Sequence, residues 1–127
     1  MELVALISIL IALQYLYLTI LVGKSRSETG ISAPACTGDP KFERVFRVQQ
    51  NTVEQLIILY PALWIFGYYV HAQAAAALGL VFLLGRIVYA RGYVKDPGKR
   101  GPGFLIGSLA LLTLLIGDLL MLVMKGL

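Results

Sequence analysis

Apolar residues run along this chain in four long stretches, roughly Leu3–Val22, Leu56–Val70, Ala72–Ala90 and Phe104–Met124. Each approaches the ~20 residues that an α-helix needs to cross a hydrocarbon core. The runs are continuous rather than alternating, which argues against the dyad pattern of a membrane β-barrel. The pattern predicts an all-α membrane protein, a bundle of four transmembrane helices forming one domain over residues 1–127. The first helix is expected to stop at Gly23, and a long loop then runs to Pro40. The second starts near Lys41, is polar at first and apolar from Leu56, with a kink expected at Pro61. The third spans about Gln73–Tyr93, and the small residues Ala74–Ala77 and Gly79 in its early half permit close helix approach. A breaker-rich turn, Lys95–Gly103, leads to the fourth, whose first turn suits Pro102.

Composition agrees with the pattern. The chain is 58% hydrophobic and its mean hydropathy is +0.79, outside the range of soluble domains. The first segment is not expected to be a cleaved signal. It carries Glu2 where a signal is basic, its apolar run is too long, and no small-residue cleavage site follows. The net charge of +4 matters through its placement. Lys24, Arg26, Lys41, Arg44 and Arg47 lie in or beside the first connection, and Arg91, Lys95, Lys99 and Arg100 in the third. The second, around His71 and Gln73, is neutral. The positive-inside rule puts connections one and three in the cytoplasm and both termini opposite, with Lys125 at the far end. Orientation thus accounts for the basicity: membrane lipid is a partner and nucleic acid is not. The single cysteine, Cys36, excludes an intrachain disulfide and has no histidine on its side of the membrane to make it a nucleophile. Nothing in the pattern calls for a metal.

Charge nevertheless enters the apolar part of the chain. In Phe42-Glu-Arg-Val-Phe-Arg-Val-Gln-Gln-Asn-Thr-Val-Glu54, Arg47, Asn51 and Glu54 stand at i, i+4 and i+7 on one helix face, with Arg44 one turn earlier. Arg86, Tyr89 and Tyr93 repeat that spacing on the third helix. Charges so close to hydrocarbon are costly unless they face a partner, a cavity or a ligand. Both faces open toward the same side, and Arg26 and Arg100 join them from the connections. Guanidiniums hold carboxylates bidentately and a Glu takes an ammonium, so such a pocket suits a zwitterionic or polyanionic ligand with a free amine. Plainer roles stand beside this one. The arginines can be juxtamembrane anchors, Glu54 can neutralise Arg47 or Arg86, and the tyrosines can belong to the interfacial aromatic belt. Asp118, the acid in the fourth helix, is expected to make a hydrogen bond between helices.

The Phe42–Glu54 string, with Gly85-Arg-Ile-Val-Tyr-Ala-Arg-Gly-Tyr93, resembles the MAPEG family, the membrane-associated proteins of eicosanoid and glutathione metabolism, in its microsomal glutathione transferase and leukotriene synthase branch. The resemblance covers nearly the whole chain. It implies a homotrimer with glutathione as co-substrate, bound at subunit interfaces near the cytoplasmic face. It further implies that Arg47, Asn51, Glu54, Arg86, Tyr89 and Tyr93 hold glutathione, and that Gln49 and Arg26 reach it from the neighbouring subunit. Arg100 matches the arginine at the sulfur, with Lys99 one residue away in the same Gly-rich turn. Gln55 and Ser27 depart from the leukotriene-type pattern, which has a tyrosine and an arginine there. The implied activity is glutathione transfer to a lipophilic electrophile, or reduction of a lipid hydroperoxide. Two alternatives stand: a non-enzymatic lipid binder of the same family, and a small proton-coupled transporter.

Overall fold

The computed structural model describes residues 1–126 as four helices joined by short connections. They are α1 (Glu2–Thr29), α2 (Pro40–Tyr69), α3 (Ala72–Lys95) and α4 (Gly101–Met124), with a 3₁₀ turn over Pro97–Arg100 leading into α4. No strand occurs among the described residues. By length and composition α1, α3 and the segment Pro97–Met124 suffice to cross a membrane. The charged first half of α2 keeps it out of that class, although its 30 residues are long enough.

The helix ends follow capping chemistry. Asp39 accepts from the backbone N–H of Lys41 (2.9 Å) and Phe42 (3.1 Å), and Pro40 occupies the first turn, where it forfeits no helical bond. His71 Nδ1 accepts from Ala74 N at 3.0 Å to start α3. The first helix does not stop at Gly23. It runs to Thr29 and ends at Gly30, whose φ of 74° suits a residue without a Cβ. Gly23 is exposed and Ser25 buried, so the polar end of α1 still packs against the bundle. The first connection is therefore only Gly30–Asp39, shorter than expected. As expected, α2 continues as helix through Pro61.

One apolar core fills most of the bundle, built from Val4, Ile7 and Ile11 of α1, Leu59, Leu63 and Phe66 of α2, Phe82 of α3 and Leu114 of α4. A smaller cluster of Leu18, Val48 and Tyr89 lies nearer the end that carries the first and third connections. Sparse polar bonds fix the register of the helices. Tyr60 Oη donates to Ser8 O and Trp64 Nε1 to Ser8 Oγ, both at 3.0 Å, while Gln14 Nε2 donates to Leu83 O at 3.2 Å. The outer faces are apolar: Leu6, Leu13 and Ile20 of α1 and Leu105, Leu112 and Leu119 of α4 are exposed. In a membrane they face lipid or other subunits rather than water.

The tightest helix contact is between α3 and α4, and it involves glycines outside the small-residue run Ala74–Gly79. A Cβ on Gly85 would come within 2.8 Å of Gly107 N, and one on Gly103 would land on the backbone N and Cα of Tyr89. At the connection, a Cβ on Gly92 would sit 2.6 Å from the Lys99 carbonyl oxygen. Asp118 differs from expectation: it is buried, and neither carboxylate oxygen has a hydrogen-bond partner among the described residues.

Candidate functional site

The close α3–α4 contact sets one wall of a cavity at the charged end of the bundle. Tyr89 lies against Gly103, so the α4 N-terminus is held beside the last turns of α3, and Arg100 and Phe104 face Tyr89 and Tyr93. The α2 stripe supplies the other wall, because Val45, Val48 and Thr52 turn inward to the core and leave Arg47 and Asn51 on the flank. Arg47, Asn51, Tyr89, Tyr93, Arg100 and Phe104 together line a cavity of about 370 Å³. Its aromatic side is continuous: the Tyr89 ring centroid is 5.7 Å from that of Tyr93 and 6.2 Å from that of Phe104.

The cavity is positively charged and open. Arg47 Nη1 stands 3.9 Å from Glu54 Oε1, with both side chains more than half exposed, so this pair offsets little of the charge. Arg100 Nη1 donates to Pro97 O at 2.9 Å, which folds the side chain back over its own turn. Asn51 Oδ1 is buried without a hydrogen-bond partner among the described residues. Two guanidiniums on one lining suit an anionic ligand.

Five of the nine residues expected at a site thus line one cavity: Arg47, Asn51, Tyr89, Tyr93 and Arg100. Glu54 is not part of this lining; it stands 3.9 Å from Arg47, which is. Arg86 is 3% exposed and lies behind the wall. Its Nη2 donates to Thr52 Oγ1 at 2.7 Å, and its guanidinium carbon lies 4.1 Å from the Tyr89 ring centroid. Gln49 and Arg26 face elsewhere within the protomer. Gln49 Nε2 donates to Thr19 Oγ1 on α1 at 3.1 Å. Arg26 donates to Ala35 O at 2.8 Å and lies 4.8 Å from the Phe42 ring centroid. Of the adjacent pair in the Gly-rich turn, Arg100 lines the cavity; the Lys99 backbone is the part pressed against Gly92.

Two residues at the site are not marked out by the sequence pattern. Phe104 opens an apolar run and looks like any lipid-facing residue, although it stands at i+4 from Arg100. Thr52 is the acceptor for Arg86, and its own hydroxyl donates to Val48 O at 2.7 Å. Its one signal is that it is the single small hydroxyl in the inward row Val45, Val48, Thr52, Leu56. Because Thr52 accepts from a charged group, Thr52→Val should cost about 1.5 kcal/mol of stability, and Thr52→Ser close to none. Thermal unfolding of the detergent-solubilised variants checks this; equal loss in both would mean that shape, not the hydroxyl, matters there.

The model of the MAPEG family matches residues 4–120. An uncharacterized protein of Synechocystis sp. is 50% identical over 116 residues, covering 91% of this chain and 85% of that protein. Human microsomal glutathione S-transferase 2 is 48% identical over 115 residues, covering 89% of this chain and 78% of its own length. Leukotriene C4 synthase of Cavia porcellus is 38% identical over 98 residues, covering 77% of this chain and 65% of the synthase.

Proposed function

The chain belongs to the MAPEG family, and on that footing we propose that it is a membrane-bound glutathione transferase whose thiol-activating site is the cavity between α2, α3 and α4. The names of its relatives, microsomal glutathione S-transferase 2 and leukotriene C4 synthase, support glutathione conjugation as the activity. One observation carries the assignment to this site: three separate helical segments bring Arg47, Asn51, Tyr89, Tyr93 and Arg100 to one cavity.

In this reading Arg47 holds a carboxylate of the tripeptide, Asn51 accepts from one of its N–H groups, and Glu54 takes its ammonium. Arg86 adds positive potential from behind Tyr89, and the two phenols orient the backbone. Arg100 stands at the sulfur. A thiol with a pKa of about 8.5 is only a few per cent ionised at neutral pH, and a guanidinium beside it favours the thiolate. The thiolate attacks an electrophilic carbon presented from the bilayer; the S–C bond forms and the leaving group departs with its electron pair. The same thiolate can reduce a lipid hydroperoxide, two glutathiones giving their disulfide, an alcohol and water.

The site is completed by a second subunit in a homotrimer. Arg47, Glu54 and Arg100 are exposed in the single protomer, so these groups assigned to glutathione lie on its flank rather than inside it. Gln49 and Arg26, which do not reach their own protomer's cavity, are the contributions of the neighbour. The charge bias of the basic connections supports a cavity at the cytoplasmic face, with both termini opposite.

The deciding experiment is glutathione-dependent conjugation of a neutral aryl halide by detergent-purified protein, with thiolate absorbance followed as glutathione is added. Turnover together with a thiolate signal at pH 7 is the expected result. Binding without either would make the protein a lipid binder, and absence of glutathione binding would reopen the transporter reading.

A further inference from the structure

Of the two arginines in the polar string of α2, Arg47 lines the cavity and Arg44 does not. By spacing alone Arg44 reads as an interfacial anchor, extended toward headgroups. In the fold it is half-buried and turned to α3. Its Nη1 donates to Lys95 O at 3.2 Å and to Val94 O at 3.5 Å. Both carbonyls belong to the last turn of α3, where they have no partner within the helix. The helix dipole favours a cation there as well. Val94 also packs against the clusters that contain Val48 and Val45. Apolar packing brings α2 and α3 together at this level but is non-directional; the Arg44 bonds supply the direction.

From the carbonyls that Arg44 holds, a short and fully bonded stretch of backbone leads to Arg100. Asp96 N donates to Gly92 O at 2.9 Å, and Asp96 Oδ1 accepts from Gly98 N at 3.0 Å. Lys99 N donates to Asp96 O at 2.8 Å, and the Lys99 carbonyl rests on Gly92, where no Cβ would fit. Arg100 Nη1 closes the series on Pro97 O. A displacement at the end of α3 is therefore passed on to Arg100 rather than absorbed in between.

We infer that Arg44 is a positioning residue for thiolate formation: by gripping the end of α3 it fixes the turn that carries Arg100 relative to the α2 face that carries Arg47 and Asn51. The inference rests on the assignment of the cavity to glutathione. In that reading the tripeptide is held from α2 and its sulfur is met from the turn, so the spacing of the two elements decides whether the guanidinium reaches the sulfur. A misplacement of about 1 Å can cost a reaction on the order of 100-fold. Arg44 acts through Arg100 and does not itself touch the tripeptide.

The test titrates the thiolate absorbance of bound glutathione against pH, beside the affinity for a glutathione analogue with alanine in place of its cysteine. Arg44→Met keeps the apolar stem and removes the donors. It should displace thiolate formation about one unit to the alkaline side and leave the affinity for the analogue within about twofold. Arg44→Lys keeps a charged donor and should recover most of that displacement. A role in stability alone would lower the thermal midpoint and leave the titration unmoved, which overturns the proposal. So does a loss of analogue affinity with an unmoved titration, which would make Arg44 a contact of the tripeptide. On an Arg100→Ala background, Arg44→Met should add no further displacement, because its effect runs through Arg100. An additive displacement would mean that the Arg44 charge acts on the sulfur directly, and the positioning role falls. If Arg44→Met does not fold, Asp96→Ala takes its place, since it frees the Gly98 N–H and loosens the same turn. Loosening moves the titration to alkaline pH, whereas loss of a carboxylate charge moves it to acid pH. An acid or absent displacement therefore overturns the proposal. If the unaltered protein forms no thiolate on binding glutathione, the failure lies with the transferase reading instead.

Discussion

Arg100→Ala should move the pH dependence of conjugation about two units to the alkaline side while glutathione still binds. The reason starts at the sulfur. A two-unit depression of a thiol pKa corresponds to about 2.7 kcal/mol of preferential stabilisation of the thiolate. Arg100 is the cavity-lining cation carried by the turn into α4, separate from the α2 stripe that includes Arg47 and Asn51. Its loss should therefore affect ionisation more than binding. The sign follows from the charge. With the guanidinium present, activity rises through the lowered pKa and is flat above it; without the guanidinium the rise comes later, near the ordinary thiol range. At pH 7 the ionised fraction falls from roughly three-quarters to about 3%, if the bound thiol sits near ~6.5 and the free one near ~8.5. The less basic thiolate is also the poorer nucleophile, which reduces the net loss at pH 7 to about two- to fourfold. The deficit should therefore narrow as pH approaches ~9. In a lone protomer Arg100 is exposed, and a water-screened guanidinium has a much smaller effect. A full two-unit displacement thus also requires a neighbouring subunit to cover the site. An unmoved profile with unchanged turnover would remove Arg100 from the mechanism, and Lys99→Ala would then be the variant to measure.

Much of this site can be read from the sequence because charge inside an apolar pattern stands out. Arg47 and Asn51 share a face by helical spacing alone, and Tyr89 and Tyr93 do so on α3. What spacing cannot give is the direction in which a long side chain turns. Arg86 shares the face of Tyr89, yet it points to Thr52, because a buried guanidinium takes the nearest acceptor. Nor does spacing show that Gln49 turns to Thr19 and Arg26 to Ala35, away from the cavity. Glycines are the least legible residues. Gly23 has the local signature of a helix end, but it faces outward with nothing within 4 Å of where a Cβ would stand, and the helix passes through it. Gly103 belongs, by composition, to the breaker-rich turn; in the fold it is a packing residue. A glycine that ends a helix and one that admits a neighbouring helix look alike in local sequence.

That distinction yields the second large effect. Gly101 and Gly103 are two residues apart in the first turn of α4, and they should respond oppositely to the same change. Nothing lies within 4 Å of a Cβ at Gly101. Gly101→Ala should therefore leave the site intact and add about 0.5–1 kcal/mol of stability, through better helix propensity and a less flexible unfolded chain. At Gly103 the added carbon would meet the backbone N and Cα of Tyr89 and would come within 2.8 Å of Gly85 O. These are backbone atoms of a packed helix, so α4 itself must move. Overpacking of this kind costs about 1–3 kcal/mol for a small side chain, with more expected for Val. The displacement would act on function directly, because Tyr89 forms one wall of the cavity and Arg100 and Phe104, on either side of Gly103, form the next. Gly103→Val should lower the thermal midpoint in detergent and weaken glutathione binding together, while Gly103→Ala shows both effects in milder form. Calorimetric titration with glutathione, run beside thermal unfolding, separates the cases. If Gly103→Ala is destabilised but binds glutathione normally, the α3–α4 contact serves the fold alone. If stability and affinity fall in step, the close approach of these two helices is what holds Arg100 at the cavity.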